Sequence, residues 1–132
     1  MYSYPVRVQF EDIDVYNIAH HTKIICYLER ARVNFFSDRG FDVRNAPYGL
    51  VLRNINIKFR VPLLMLDDIV ITLQTKDIGN FKFIFYYEVL KNGVKHASAE
   101  IEMAVIDLET KKPKKIPDLM MEMLKSIEIE NS

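Results

Sequence analysis

One cysteine and no tryptophan are found among 132 residues that include seven tyrosines and eight phenylalanines. The single thiol, Cys26, cannot close an internal disulfide, so packing must hold the fold, which fits a reducing compartment. At about 200° from Ile24 around a helix, Cys26 lies off the main apolar stripe and reads as a structural thiol. Neither sign of charge is in excess. Eighteen basic and eighteen acidic side chains cancel, which removes the field that draws a protein to nucleic acid or an anionic membrane. No apolar run approaches the ~20 residues of a membrane span, and the opening MYSYPVRVQF alternates where a signal peptide would have an apolar block. A soluble, cytoplasmic protein is expected. Of three histidines, His20 and His21 are adjacent and His96 stands alone, with no cysteine or acid at ligand spacing, so neither a metal nor a cofactor is expected. Repeats and linkers are absent as well. The chain reads as one domain, 1–132, long enough to bury about two-thirds of its unfolded surface.

What is present is organised around residues 9–40, QFEDIDVYNIAHHTKIICYLERARVNFFSDRG. A strand end runs into the acids Glu11, Asp12 and Asp14, and a loop carries Tyr16, Asn17, His20 and His21. An amphipathic helix follows, starting at His21 or Thr22. At about 100° per residue, Ile24, Leu28, Ala31 and Phe35 share a line with Ile25, Arg32 and Phe36 on its shoulder, while Arg30, Asn34 and Ser37 point elsewhere. Gly40, free to take positive φ, marks the stop. Such a helix is roughly 25 Å long, and a sheet must wrap it.

The rest of the chain supplies that sheet. Tyr4, Val6, Val8 and Phe10 alternate with Pro5, Arg7 and Gln9; Val51, Ile55, Ile57, Phe59 and Val61 belong to a second strand, which Pro62 ends. Ile69, Ile71 and Leu73 share a face of the third, and Phe81, Phe83, Phe85, Tyr87 and Val89 that of the fourth. Asn92-Gly93 signals a type I′ hairpin. In the fifth strand Ala97, Ala99, Ile101, Met103 and Val105 are expected inward, against His96, Ser98, Glu100 and Glu102 outward. The alanines would leave room for the helix or for a ligand. A basic turn at 109–117 precedes a tail helix over 117–127 with Leu119, Met120, Met123 and Leu124 as its apolar face. The order β-α-ββββ is α+β, a long helix on an antiparallel sheet of about five strands.

Four stretches in register resemble one family. They are Val6-Arg7-Val8-Gln9-Phe10-Glu11-Asp12-Ile13-Asp14, Tyr27-Leu28-Glu29-Arg30-Ala31-Arg32, Ile57-Lys58-Phe59-Arg60-Val61-Pro62, and Val105-Ile106-Asp107-Leu108-Glu109-Thr110 with Pro113 and Ile116-Pro117. Together, over residues 4–120, the chain resembles the hot-dog fold and, within it, the 4-hydroxybenzoyl-CoA thioesterase-like family of acyl-CoA thioesterases. The resemblance implies a central helix wrapped by a curved antiparallel sheet. It also implies a homodimer joined edge to edge, often paired again into a homotetramer, with active sites between subunits. Asp14 matches the family's catalytic carboxylate, and His21 a histidine of one branch; His20 stands where that branch often has tyrosine. The helix N-terminus would hold the oxyanion. Val15, Tyr16 and Asn17 replace small residues of the family's loop, which could narrow or reshape the acyl entrance. The cluster Lys111, Lys112, Lys114 and Lys115 reads first as a solvated turn; the alternative that the resemblance implies is recognition of the nucleotide phosphates of CoA, for which Arg60 is a second candidate.

The residues alone leave alternatives open. Asp14 before a helix also reads as a turn residue, Asp12 as a solvated or turn-forming acid, and His21 as a cap. Glu29 is a second carboxylate candidate or an ion-pair partner for an arginine. Three functions are carried forward: an acyl-CoA thioesterase, a thioesterase acting on acyl groups of an acidic carrier protein (acyl-ACP) that docks on Lys111 to Lys115, and a non-catalytic acyl-binding module.

Overall fold

The computed structural model describes residues 1–130; Asn131 and Ser132, the end of the expected 1–132 domain, lie outside the described residues. The elements are β1 (Tyr2–Arg7), a 3-10 turn (Phe10–Asp12), α1 (His21–Asp38), β2 (Tyr48–Phe59), β3 (Asp68–Lys76), β4 (Lys82–Lys91), β5 (Val94–Asp107) and α2 (Asp118–Lys125). Five strands form one sheet in the order β1-β3-β4-β5-β2, with every neighbour antiparallel. This is the expected α+β hot-dog architecture, a long helix held by an antiparallel sheet. No helix of the described residues is long and apolar enough to cross a membrane.

α1 has 18 residues, about 27 Å. Its buried face is Ile24, Tyr27, Leu28, Ala31, Phe35 and Phe36. Tyr27 completes the stripe one position before Leu28, where its polar hydroxyl had hidden it from an apolar count. At the other end Gly40 takes φ +76° and its N–H bonds Ser37, while the Phe41 N–H reaches back to the Phe36 carbonyl. That pair of bonds closes the helix and needs the left-handed conformation at Gly40.

Against α1 lie Ile69, Ile71 and Leu73 of β3, Phe83, Phe85, Tyr87 and Val89 of β4, and Ala97, Ala99, Ile101, Met103 and Val105 of β5, all buried. Aromatic rings dominate the centre. Phe85 sits edge-on to Phe83 at 4.9 Å and to Phe36 at 6.2 Å, the geometry that favours ring pairs. From the C-terminal side, Met120, Met123, Leu124 and Ile127 close the core. Thr75 Oγ1 donates to the Leu124 carbonyl at 2.6 Å, and Thr75 exchanges backbone bonds with Ile127 and Ile129, so the tail continues the sheet where β1 stops.

Phe10, Phe81 and Leu119 do not face the core as their pattern predicts, and Ile55, Phe59 and Val61 of the second-strand alternation are exposed as well. Phe10 is 75% exposed, because the 3-10 turn it begins breaks the period-2 pattern of β1 just after Val8. Phe81 precedes β4 and is exposed; its carbonyl, not its ring, is used, accepting from the Val105 N–H at 3.0 Å. Leu119 is exposed, and Ile127 takes its place on the inner side, three residues beyond Leu124.

The crowded centre generates a stability prediction. Phe85→Ala removes a fully buried ring that three other rings hold in place, and should cost about 3–5 kcal/mol in urea unfolding, whereas Phe81→Ala should cost far less.

Candidate active site

The site begins with a buried carboxylate. After β1 the Val8 N–H bonds the Asp67 carbonyl at 2.9 Å and the chain turns through Phe10–Asp12. Asp12, 5% exposed, accepts the Gln9 N–H at 3.0 Å and the Tyr27 hydroxyl at 2.5 Å on one oxygen, and its carbonyl accepts the His20 N–H at 2.8 Å. It is therefore a buried fastener, not a solvated acid. Burial opposes its charge, but the bonds from Tyr27 and Gln9 and the charges of Lys23 and Arg30 outweigh burial and hold its carboxyl below the usual range. Burial, with the adjacent carboxylate, pushes the Tyr27 hydroxyl well above an ordinary phenol.

Between the fixed points Asp12 and His20 the loop doubles back. Ile13 bridges Ala19, the Asp14 N–H bonds the Ile18 carbonyl at 2.8 Å, and the Asn17 N–H bonds the Asp14 carbonyl at 3.0 Å. Asn17 sits at φ 63°, which asparagine tolerates better than most side chains. Asp14 Oδ1 accepts the Tyr16 N–H at 2.8 Å, so one carboxylate oxygen makes the turn. The other oxygen has no partner among the described residues. Turn residue and reactive acid are thus compatible roles, one for each oxygen.

The loop meets α1 at a cap made by His20. Its Nδ1 accepts the Thr22 N–H at 3.2 Å and lies 2.7 Å from the Thr22 hydroxyl, while the His20 and His21 rings stack at 4.3 Å. The Lys23 N–H bonds the His20 carbonyl at 2.9 Å. The His21 N–H, at the positive end of the helix, has no acceptor among the described residues.

These elements surround a cavity of about 280 Å³. Asp14, Ile18, Ala19, His21 and Ile24 form one wall, and Phe59, Arg60, Val61, Pro62, Leu63, His96 and Ala97 the other. The two walls are joined where the Ala19 N–H bonds the Leu63 carbonyl at 2.7 Å and Ile18 bridges Leu64. Asp14, His21 and Arg60 are brought together as the sequence suggests.

His96 is not where alternation puts it. It is 8% exposed and faces in, beside the buried Ala97. Lys91 pairs with Val94 and Leu90 with Lys95, but Val89 pairs with Ala97, so His96 is the extra residue of a β-bulge. A signal for it exists in the sequence. Counting out from the Asn92-Gly93 turn sets Val89 opposite His96, whereas matching inward residues sets Val89 opposite Ala97. The two counts differ by one, and a bulge on β5 is what reconciles them.

The other expected site residues lie elsewhere on this chain. Tyr16 and Asn17 are exposed at the loop tip and His20 is the helix cap; none lines the cavity. Glu29 is exposed and 3.9 Å from Arg32, outside the cavity. Lys111, Lys112 and Lys114 follow β5 in the turn after Asp107, which pairs with Tyr48. Since Ala97 pairs with Phe59 at the other end of the 12-residue β2, the lysines stand roughly 35 Å from the cavity along the strand.

Comparisons with known proteins bear on the family and the fold. The family model described as the thioesterase-like superfamily matches residues 8–124. A putative esterase of Aquifex aeolicus is 30% identical over 125 residues, covering 92% of this chain and 96% of the relative. The acyl-CoA thioesterase YbgC of Haemophilus influenzae is 22% identical over 120 residues, 88% of each chain. The crystal structure of a 1,4-dihydroxy-2-naphthoyl-CoA thioesterase from Synechocystis superposes with a TM-score of 0.88 at 17% identity over 96% of both chains, a likeness of fold.

The fastener can be tested through stability. Because the folded pKa of Asp12 lies below its unfolded value, about 3.9, its contribution is full at neutral pH and is lost as pH falls through the folded value. Tyr27→Phe should therefore cost about 1–3 kcal/mol at neutral pH. The difference from wild type in urea midpoints should shrink as the solution is acidified below about pH 4. A gap that does not change with pH would mean that the Tyr27 hydroxyl does not stabilise the Asp12 charge.

Proposed function

The chain belongs to the thioesterase-like superfamily, and on that footing we propose that it is an acyl-CoA thioesterase, one domain over residues 1–132. The observation that carries the reading is the meeting, in one cavity, of an Asp14 oxygen without a partner and the first residue of α1, whose amide is also free. A thioester carbonyl placed between them would have a base or nucleophile at its carbon and a donor at its oxygen. In the water route Asp14 takes a proton as water attacks, the oxyanion is held by the His21 N–H and the helix end, and collapse expels the CoA thiolate, which takes up the proton. In the direct route Asp14 itself attacks, and water then hydrolyses the acyl-aspartyl anhydride. His21 lines the cavity, which supports a role for its ring at the leaving sulfur or the carbonyl.

Assembly bears on the substrate's other end. β2 is an edge strand with Leu52, Ile55 and Phe59 exposed and Val61 exposed just beyond it, an apolar edge that favours pairing with a second copy into a homodimer or homotetramer. Antiparallel pairing about the middle of β2 would set the Tyr48 end of one copy beside the Phe59 end of the other. The turn carrying Lys111, Lys112 and Lys114 would then approach the partner's cavity, beside its Arg60. That supports recognition of the CoA phosphates, with Tyr16, Asn17 and His20 at the mouth of the site. Arg60 also lies with Lys58 along a groove on the outer face, whose other charged residues are Glu100 and Lys95, the latter paired with Glu88 at 2.7 Å.

Thiol release from acyl-CoAs running from acetyl to palmitoyl and benzoyl tests the reading. Asp14→Asn should lower turnover by at least about 100-fold while leaving the circular dichroism spectrum and the oligomer unchanged. Turnover that survives the substitution would remove Asp14 from the chemistry.

A further inference from the structure

His96 is the one buried titratable residue in the cavity that the proposed reaction does not use. Its burial has a defined cause, the β5 bulge, which turns an outward position inward. The backbone there is itself tied down, because the His96 carbonyl accepts both the Arg60 N–H at 2.9 Å and the Val61 N–H at 3.1 Å. The ring is fixed as well. Nδ1 lies 3.0 Å from the Val94 carbonyl, and a carbonyl can only accept, so Nδ1 carries the proton. In the neutral imidazole the second nitrogen, Nε2, is then a lone-pair acceptor.

Nε2 has no partner among the described residues, yet it is not sealed away. The side-chain polar atom that is both sealed and unpaired, among the described residues, is the Tyr87 hydroxyl. The free nitrogen of His96 therefore keeps some accessible surface, on a residue that lines the cavity. Of the other cavity residues Arg60 and His21 carry donors, and neither bonds Nε2; the side chains of Ile18, Ile24, Phe59, Val61, Leu63 and Ala97 offer none. An apolar acyl chain filling this space would strip water from Nε2 and leave the acceptor unsatisfied, at a cost comparable to a lost hydrogen bond. An acyl chain bearing a donor would satisfy it.

Resting on the thioesterase reading, we infer that His96 is a specificity-determining residue whose Nε2 accepts a hydrogen bond from the acyl part of the substrate, selecting acyl groups that carry a hydroxyl over plain ones of the same length. Rejection of the plain chain follows from the unpaired acceptor, which discriminates more strongly than a change of shape in an apolar pocket.

Two measurements on the full-length protein test this. The first is kcat/KM on matched hydroxylated and plain acyl-CoAs, aliphatic and aromatic, for wild type, His96→Leu and His96→Gln. Wild type should prefer the hydroxylated member of the pair that fits by about tenfold. His96→Leu should abolish that preference, chiefly by losing activity on the hydroxylated substrate, and His96→Gln, which restores an acceptor, should recover part of it. The second is affinity for the corresponding oxoalkyl thioethers of CoA, in which a methylene between sulfur and carbonyl blocks hydrolysis; the same preference should appear in Kd. A preference that His96→Leu leaves intact would overturn the inference. Equal loss on both members of every pair would overturn it too, because it would assign His96 to the attacking water or to the backbone. If wild type hydrolyses no acyl-CoA, the thioesterase reading fails, and the thioether affinities still decide the role of His96.

Discussion

The Tyr27 hydroxyl and the Asp12 carboxylate, 2.5 Å apart inside the protein, hold the rest of the site in place. An acid that is 5% exposed is costly unless its charge is met by donors, and one oxygen of Asp12 takes two, from two directions. Gln9 belongs to its own turn and Tyr27 to the helix. Because the Asp12 carbonyl also takes the His20 N–H, the turn is fastened to α1 at two levels. Only the residues 13–19 lie between those anchors, and Ile13–Ala19 and Ala19–Leu63 backbone pairings leave them little freedom. Asp14 is consequently held beside the helix start by these anchors and by its own bonds to Tyr16, Asn17 and Ile18, which leave one carboxylate oxygen free. In this account the two neighbouring acids divide the labour: the buried one positions the loop and the half-exposed one faces the cavity.

The second constraint is parity in the sheet. A two-residue turn with positive φ at Asn92 (51°) and Gly93 (77°) fixes how β4 and β5 begin to pair. The core fixes how they must end, with Tyr87 opposite Ala99 and Phe85 opposite Ile101. One residue too many lies between, and it bulges out of the ladder at His96, on the cavity side. The small side chain of Ala97 next to it gives room, as expected of an alanine at the strand's start. Pairing geometry and cavity chemistry thus have a common origin in one extra residue.

Much of this was legible in the sequence, and the failures have physical reasons. The sheet strands, the helix ended by Gly40 and the hairpin at Asn92-Gly93 follow from periodicity and turn chemistry, which are local. The hot-dog resemblance rested on four motifs in order, and the family match bears it out. Phe10, Phe81 and Leu119 each extend an alternation or stripe by one position, where a 3-10 turn, a strand start and a helix end intervene. Local pattern is weakest at such boundaries. His96 failed differently: each strand read correctly by itself, and the mismatch appears only when both are counted against the turn. That His20, and not His21, caps α1 depends on which of two adjacent imidazoles turns back toward the Thr22 N–H, a choice that side-chain type does not encode.

A crystal structure with an unreactive oxoalkyl thioether of CoA would test the central claim most directly. The account predicts the carbonyl oxygen within hydrogen-bonding distance of the His21 N–H, with the unpaired Asp14 oxygen facing the carbonyl carbon or a water beside it. An acyl group lodged instead in the second apolar cavity, between Phe36, Tyr48, Leu50 and Met120, with the first left empty, would contradict it.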